Sequence, residues 1–365
     1  MESGDIDKDS GIPQRKDDHI RYTMENDVQC SVPAGFEDVM LIHRSLPEVD
    51  LAGIDTTTTL FGKEMDHPFI VSAITGGSPQ AGKINRMLAE KASKYNIGIS
   101  VGSQRAMMVD SSLRGTYEIR KYAPDVLLFS NLGMAQVISM SDDEIVSMIE
   151  SIGADVLAVH LNPLQEILQP EGDTSFKGGL GRLRDLKRDI DRPIIVKETG
   201  AGISMEVARM LSFLDGAEIS GVGGTSFAAV EYYRTKSQLH KENARLFWDW
   251  GIPTVSSIVE TAPYFKEVIA SGGIRNGVHI VKSLALGASS AGLAQPFLDA
   301  VYNRKEGDSD TQFERLINEI RTTMFLIGAE SIADIMKCPV ALFGDTREYL
   351  SQRGFDLSQF AQRGF

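Results

Sequence analysis

The sequence predicts an α/β protein of the (β/α)8 class, the TIM barrel, with a polar N-terminal extension and C-terminal helices. Eight short apolar runs alternate with longer amphipathic stretches, and eight strand–helix units are the number that closes this barrel. A compact glycine cluster, Gly178-Gly179-Leu180-Gly181, follows no apolar run. The glycine fingerprint that opens a doubly wound sheet is therefore not matched.

The predicted strands are short apolar runs, each bounded by polar or turn-forming residues. In chain order they are residues 69–73, 97–101, 126–130, 156–160, 193–197, 217–221, 267–271 and 288–292.

Helical periodicity fills the gaps between these runs, and capping signals such as Ser141-Asp142-Asp143-Glu144 mark several starts. The predicted helices are residues 85–94, 142–151, 182–189, 205–214, 254–265 and 278–286. A further helical pattern, residues 312–335, is expected to pack on the barrel exterior. We divide the chain into an N-terminal extension with leading segments, residues 1–68, and a barrel with a C-terminal helical tail, residues 69–365.

Residues 225–249 form the longest gap and are polar, with several Arg, Lys, Tyr and Gln. A long insertion at the catalytic face of a barrel often serves as a lid. A surface excursion involved in subunit contacts fits the composition equally well.

The composition is that of a soluble globular protein, with 42% hydrophobic and 24% charged residues. A formal net charge of -13 disfavours nonspecific binding to nucleic acid or to anionic membrane surfaces. An anionic substrate would consequently need a locally positive pocket, a bound metal, or both. Cys30 and Cys338 lack metal-binding spacing, and both are expected to be reduced structural thiols.

The start of the chain lacks the basic and apolar segments of a secretory signal, and no apolar run is long enough to cross a membrane. We expect a cytoplasmic protein.

The ends of the last two predicted strands predict a phosphate site. Gly272 and Gly273 follow strand seven with Arg275 nearby, and Ala294 and Gln295 follow strand eight. In barrels these two loops commonly bind phosphate through backbone N–H groups. A phosphorylated substrate and the phosphate of FMN both fit this site.

Other strand ends favour a flavin. Thr75, Ser103 and Asn131 offer hydroxyl and amide partners for the pyrimidine edge of the ring. Lys197 inside a barrel mouth is costly unless it is paired, and a reduced, anionic flavin would stabilise it. An ion pair with Glu198 is the alternative, but adjacent strand residues point to opposite faces.

The segment His160-Leu161-Asn162-Pro163-Leu164-Gln165-Glu166 places four polar side chains directly after a buried strand. Glu166, with Gln165 and His160, could hold a hard cation, and a single carboxylate with amide and water ligands suits Mg²⁺. An ordinary polar strand-to-helix connection is the alternative. Near the amino terminus, Arg15-Lys16-Asp17-Asp18-His19 concentrates cationic groups, but by itself this cluster predicts a solvated tail.

Taken together, these segments resemble the type 2, flavin-dependent isopentenyl-diphosphate isomerase family. The resemblance runs from about Arg15 to Phe297, and Ile74 stands where the family usually has Met. It rests on Arg15 to His19, Thr75-Gly76-Gly77, Gly102-Ser103-Gln104-Arg105, His160 to Glu166, Val196-Lys197-Glu198, Gly223-Gly224-Thr225 and Ser271-Gly272-Gly273.

The resemblance implies FMN, Mg²⁺ and NADPH as the flavin reductant. The implied reaction interconverts isopentenyl and dimethylallyl diphosphate by a 1,3-allylic proton shift, without net redox change. It also implies a homo-oligomer, a tetramer or an octamer. The mobile amino-terminal arm would close the site, which must be dry because water would trap a carbocation.

The resemblance also assigns residues. Gln165 and His160 are the catalytic candidates, although the weakly basic amide of Gln165 suits positioning or relaying a proton. Glu166 is the implied metal ligand. The implied flavin contacts are Ala73, Ile74, Thr75, Ser103, Asn131, Lys197, Ser220 and Thr225, with Gly272, Gly273, Ala294 and Gln295 around the phosphate. The implied substrate contacts are Arg15, Lys16, His19, Ser103, Gln104, Arg105, His160, Asn162 and Gln165.

Two other functions remain to be weighed. A flavin-dependent 2-hydroxy-acid oxidoreductase would need an Arg/His pair near strands six and seven, but Arg275 has no adjacent His and His240 lies in the insertion. A noncatalytic phosphate binder would bury Lys197, Gln165 and Glu166 without a ligand to compensate them.

Overall fold

A helix and two short strand pairs precede the barrel. The computed structural model describes residues 12–302 and 309–364. The first elements are helix α1 (Ile12–Glu25) and strands β1 (Val39–Leu41), β2 (Thr58–Leu60) and β3 (Lys63–Met65). Strands β2 and β3 form an antiparallel hairpin.

Eight parallel strands form a closed barrel, which confirms the predicted fold class. Each observed strand overlaps the predicted one, and the largest shift is β6, which begins two residues later and extends through Gly133. The strands are β4 (Phe69–Val71), β5 (Gly98–Ser100), β6 (Leu128–Gly133), β7 (Val156–His160), β8 (Ile194–Lys197), β9 (Gly216–Glu218), β10 (Glu267–Ser271) and β11 (Ser290–Leu293).

The barrel interior is filled at its amino-terminal end. Leu60 and Met65 of the β2–β3 hairpin pack with strand residues such as Ile70, Phe129 and Ile195, all of which are buried. The hairpin closes this end of the barrel. The opposite end, where the strands finish, is left to form a site.

The helices surround this barrel. The first group is α2 (Pro79–Lys94), α3 (Arg105–Val109), α4 (Met134–Ser139), α5 (Asp142–Ser151), α6 (Pro163–Leu168), α7 (Gly179–Asp189) and α8 (Met205–Leu211). The second is α9 (Phe227–Arg234), α10 (Gln238–Leu246), α11 (Thr254–Thr261), α12 (Gly277–Ala285) and α13 (Gln295–Tyr302). The tail contains α14 (Ser309–Ile327), α15 (Ile332–Ile335), strand β12 (Val340–Leu342), α16 (Gly344–Gln352) and α17 (Ser358–Ala361). No helix in the described parts of the chain combines the length and apolarity needed to cross a bilayer.

Several helix boundaries differ from prediction, and the local structure explains two of these differences. Helix α2 begins at Pro79, six residues before the predicted start, because Ser78 caps it by accepting a hydrogen bond from the Ala81 N–H. The predicted helix 312–335 is two helices, because Gly328 adopts a φ of 70° and ends α14.

The insertion, residues 225–249, forms α9, α10 and their flanks, and it packs against α1. Val28, Ala229 and Val230 form a small apolar cluster with Tyr22, Tyr233 and Trp248 around them. The prediction that residues 15–19 form a solvated tail is wrong, because they belong to α1 and are partly buried. Of the predicted polar start, residues 1–14, residues 1–11 lie outside the described part of the chain.

The C-terminal tail is tied to the barrel through Glu260. This α11 side chain is fully buried. Its carboxylate accepts hydrogen bonds from Arg353 Nε at 2.8 Å, Tyr349 Oη at 2.9 Å and the Met205 N–H at 2.7 Å. A buried carboxylate needs such partners, so α16 contributes to the stability of the barrel.

Arg353→Met should lower the free energy of unfolding by about 1–3 kcal/mol, because the buried carboxylate of Glu260 loses a charged partner. Urea unfolding followed by circular dichroism measures this change. Arg347→Met is the matched control, since Arg347 is exposed on α16, the helix that Arg353 caps, and its effect should stay within about 0.5 kcal/mol. Equal stability of the two variants would contradict the structural role of Glu260.

Candidate active site

The carboxyl ends of the barrel strands open into one cavity of about 1550 Å³, including its mouth. With one exception, every residue assigned from the sequence lines it. They are Arg15, Lys16, His19, Ala73, Ile74, Thr75, Ser103, Arg105, Asn131, His160, Asn162, Gln165, Glu166, Lys197, Ser220, Thr225, Gly272, Gly273, Ala294 and Gln295.

The exception is Gln104, whose side chain is fully buried beside the cavity. Its Oε1 accepts hydrogen bonds from Ser130 Oγ at 2.5 Å and from the Asn131 N–H at 3.0 Å, and its Nε2 donates to the Met148 carbonyl at 3.3 Å. The amide therefore holds the end of β6 in place. Its position does not support the substrate contact that the motif predicted, because the helical turn at Gln104 directs its side chain into the core.

The loops after β10 and β11 form a glycine-lined cradle. Gly272 and Gly273 have φ values of 97° and 70°. A Cβ on Gly273 would collide with the carbonyl of Gly223. Backbone N–H groups can approach a phosphate closely only where side chains are absent. The cradle adjoins the start of α13 at Gln295, which fits the predicted phosphate site.

Gln29 connects the two sides of this cradle and was missed in the sequence. Its Oε1 accepts a hydrogen bond from Arg275 at 2.5 Å, and its Nε2 donates to Gln295 Oε1 at 3.0 Å. Burial lowers the pKa of Arg275. A lone Gln in a polar leading segment carries no pattern that could have indicated this role.

Thr75 and Asn131 lie on the cavity wall. Thr75 Oγ1 is buried and has no hydrogen-bond partner among the described residues. Such a group is costly unless a ligand satisfies it. Asn131 Nδ2 donates to the Val101 carbonyl at 3.1 Å, so its Oδ1 faces His160 as an acceptor.

This arrangement determines the tautomer of His160. Its Nδ1 lies 2.7 Å from Asn131 Oδ1 and must donate the hydrogen. Burial, with the positive charges of Lys197, Lys16 and Arg15, lowers the pKa of His160 to about 3. In the free protein His160 is therefore neutral, with an unprotonated Nε2.

Lys197 ends β8 and points into the cavity. Its Nζ donates to the Glu198 carbonyl at 2.8 Å. The Glu198 carboxylate turns away and accepts hydrogen bonds from the Thr199 and Ala201 N–H groups at 2.5 and 2.6 Å. The prediction that these neighbouring side chains do not pair is confirmed. Burial raises the pKa of Glu198 to about 7.

The start of α6 presents Asn162, Gln165 and Glu166. Asn162 Nδ2 donates to Gln165 Oε1 at 3.0 Å and to Glu166 Oε1 at 2.9 Å. The other carboxylate oxygen of Glu166 accepts from the Asp173 N–H at 2.6 Å. Within residues 12–302 and 309–364, no cluster of three or more His, Cys, Asp or Glu could hold a metal. A cation at Glu166 would need ligands from the substrate and water.

Helix α1 supplies cations to the mouth of the cavity. His19 Nε2 lies 3.0 Å from Glu231 Oε1, and Glu231 also accepts a hydrogen bond from Arg234 Nε at 2.7 Å. These contacts connect α1 to α9, so Arg15 and Lys16 are held at the cavity. Burial beside Arg15 and Arg105 lowers the pKa of Lys16 to about 7. Glu231 was missed because its significance depends on two distant helices meeting.

Comparison with solved structures shows the fold. A flavocytochrome b2 variant matches with a TM-score of 0.65 at 20% identity, covering 93% of this chain and 88% of that one. A mandelate oxidase variant matches with a TM-score of 0.62 at 18% identity, covering 89% and 100%. Residues 249–341 match the family model described as FMN-dependent dehydrogenase.

Sequence relatives are closer. A Thermococcus onnurineus protein named isopentenyl-diphosphate delta-isomerase is 45% identical over 361 residues, which is 95% of this chain and 96% of the relative. A Methanosarcina barkeri protein of the same name is 41% identical over 362 residues, which is 97% and 99%. At this identity and coverage, the chain belongs to the isopentenyl-diphosphate delta-isomerase family.

Proposed function

We propose that this protein is an FMN-dependent isomerase that interconverts isopentenyl and dimethylallyl diphosphate by a 1,3-allylic proton shift. One observation carries the proposal. A single cavity combines a glycine cradle and the unpartnered Thr75 hydroxyl with Arg15, Lys16, Arg105 and Glu166. The first set suits FMN, and the second suits a diphosphate with a divalent cation.

The residues fit FMN. The unpartnered Thr75 Oγ1 calls for a hydrogen-bonding ligand, and the cradle at Gly272 and Gly273 would hold the phosphate. Lys197 would face the pyrimidine edge. When bound and reduced, the cofactor supplies an electron-rich face with acid–base capacity. NADPH is the proposed reductant.

The residues also fit a magnesium diphosphate. Glu166 would ligate Mg²⁺, which usually keeps waters and binds substrate phosphates. Arg15, Lys16 and Arg105 would bind the diphosphate oxygens. This local cluster of cations offsets the repulsion that a net charge of -13 would otherwise exert on the anionic substrate.

The remaining polar groups suit positioning and water exclusion. Gln165 is nearly buried, and its carbonyl oxygen is already bonded to Asn162, so it suits orientation of the substrate more than proton abstraction. The unprotonated Nε2 of His160 can accept a hydrogen bond. Helices α1 and α9 cover the mouth and would keep water from a carbocationic transition state.

The 2-hydroxy-acid oxidoreductase alternative receives no support from the site. His240 lies on α10 and does not line the cavity. Arg275 is bonded to Gln29. His279 on α12 lies near Arg275, but it stacks on Phe36 and does not line the cavity. Within the described part of the chain, no Arg/His pair near β9 and β10 therefore faces the cavity to bind and deprotonate a hydroxy acid.

The direct test uses the purified protein. It should be yellow, and it should convert isopentenyl diphosphate only with reduced flavin and Mg²⁺. Product analysis by gas chromatography after acid hydrolysis measures conversion. Turnover of lactate or glycolate would instead favour the oxidoreductase, and a colourless protein without turnover would contradict the proposal.

Glu166→Gln should lower kcat/KM by at least about 10- to 100-fold, the loss typical even for outer partners of a metal, and should raise the Mg²⁺ concentration needed. FMN content, read from visible absorbance, should be unchanged. Glu150→Gln, on an exposed part of α5, is the control and should match the parent protein. A parallel loss of flavin in Glu166→Gln would count against the metal assignment.

Affinity for a diphosphate should weaken above pH 7. The pKa of Lys16 is lowered to about 7 in the free protein, so its charged form falls as pH rises through that value. Between pH 7 and pH 8.5 the dissociation constant of pyrophosphate with Mg²⁺ should rise roughly tenfold. Isothermal titration calorimetry measures it. The Lys16→Gln variant should bind pyrophosphate more weakly at pH 7, and its dissociation constant should change little with pH. An unchanged pH profile in this variant would exclude Lys16 as the source of the pH dependence.

A further inference from the structure

The buried carboxylate of Glu218, on the cavity floor, has no role in the proposed function. Glu218 ends β9, is 2% exposed and lines the cavity. It is the register partner of Lys197 on the neighbouring strand β8. Register partners in a parallel sheet lie about 4.8 Å apart and point to the same face. A carboxylate and an ammonium group therefore share the floor.

The carboxylate is held in place by Ser72 at the end of β4. Ser72 Oγ donates to Glu218 Oε1 at 2.6 Å. The bond passes over Gly292 of β11, where a Cβ would collide with Ser72 Oγ and lie 3.2 Å from Glu218 Oε1. Gly292 thus leaves the space through which Glu218 reaches Ser72, and the position of the negative charge is defined by three strands.

Lys197 and Glu218 do not neutralise each other by direct contact. Lys197 Nζ donates to the Glu198 carbonyl, and within the described residues no ion pair joins it to Glu218. Both charged groups consequently act on whatever occupies the cavity. Burial makes their fields strong, because little water lies between them and a ligand.

We propose that Glu218 offsets the positive charge of Lys197 at the flavin site and thereby lowers the reduction potential of the bound FMN. This inference rests on the FMN binding in the proposed function. Lys197 alone would stabilise the anionic reduced ring and draw electron density toward its pyrimidine edge. The fixed negative charge of Glu218 opposes that effect. The reduced ring stays electron-rich, which suits an acid–base role without net electron transfer.

The test is the midpoint potential of the FMN-loaded protein, measured by dithionite reduction against a reference dye. Glu218→Gln keeps the shape and the acceptor for Ser72 but removes the charge. It should shift the potential to a more positive value, by roughly tenfold in the equilibrium constant for reduction, which is about 30 mV for two electrons. An unchanged or more negative potential would overturn the inference.

Two controls separate charge from structure. Ser72→Ala removes the hydrogen bond but keeps the carboxylate, and should shift the potential less than Glu218→Gln. Glu267→Gln removes a half-buried carboxylate at the opposite end of the barrel, and should leave the potential unchanged. A shift in Glu267→Gln equal to that in Glu218→Gln would also overturn the inference, since the effect would not be local.

If Glu218→Gln fails to fold, Glu218→Ala supplies a second variant without the charge. Its FMN midpoint potential should also shift to a more positive value. The same preparations are assayed for isomerase activity. Bound flavin without isomerase activity in the parent protein would refute the proposed function alone, and the potentials would still decide the role of Glu218.

Discussion

The pairing of β11 with β4 is the contact on which the site depends. Ala291, Gly292 and Leu293 pair in parallel with Phe69, Ile70 and Val71 and close the sheet on itself. Closure brings the first and last strands together, so Thr75 and Gln295 line the same cavity although 219 positions separate β4 from the start of β11 in the sequence. An open sheet would place them at opposite edges.

Closure also concentrates charge. Side chains from several strands and from α1 meet at one mouth where water is scarce. Burial, with the positive charges of Lys197, Lys16 and Arg15, keeps His160 neutral. The surface of the protein is acidic overall, yet α1 places cations at this mouth because Glu231 and Glu171 hold His19, Arg15 and Arg234. Placement of a few side chains thus matters more for an anionic ligand than the net charge.

Predicted site residues whose position follows from a strand end are found at the cavity. Thr75, Asn131, Lys197 and Gly273 come directly after apolar runs, and a barrel sends all such ends to one face. The family resemblance assigned Gln104 to the substrate together with Ser103 and Arg105, but successive side chains in a helical turn point about 100° apart. A sequence motif does not show in which direction each of its side chains points. Helix α1 was not predicted from the sequence, for a different reason. A short polar helix is only marginally stable alone, and α1 is stabilised by packing on α9.

Apolar periodicity and residue type are local properties, and they were enough to predict the eight strands, the fold class and the chemistry at the strand ends. Only the folded chain shows which polar groups are already satisfied and which face a ligand. It showed that Gln104 and Gln29 are held by partners far along the chain, that α1 is docked and that Glu218 reaches Ser72 across Gly292. These features depend on contacts between segments that are distant in sequence, and no single segment carries a signal of its partner.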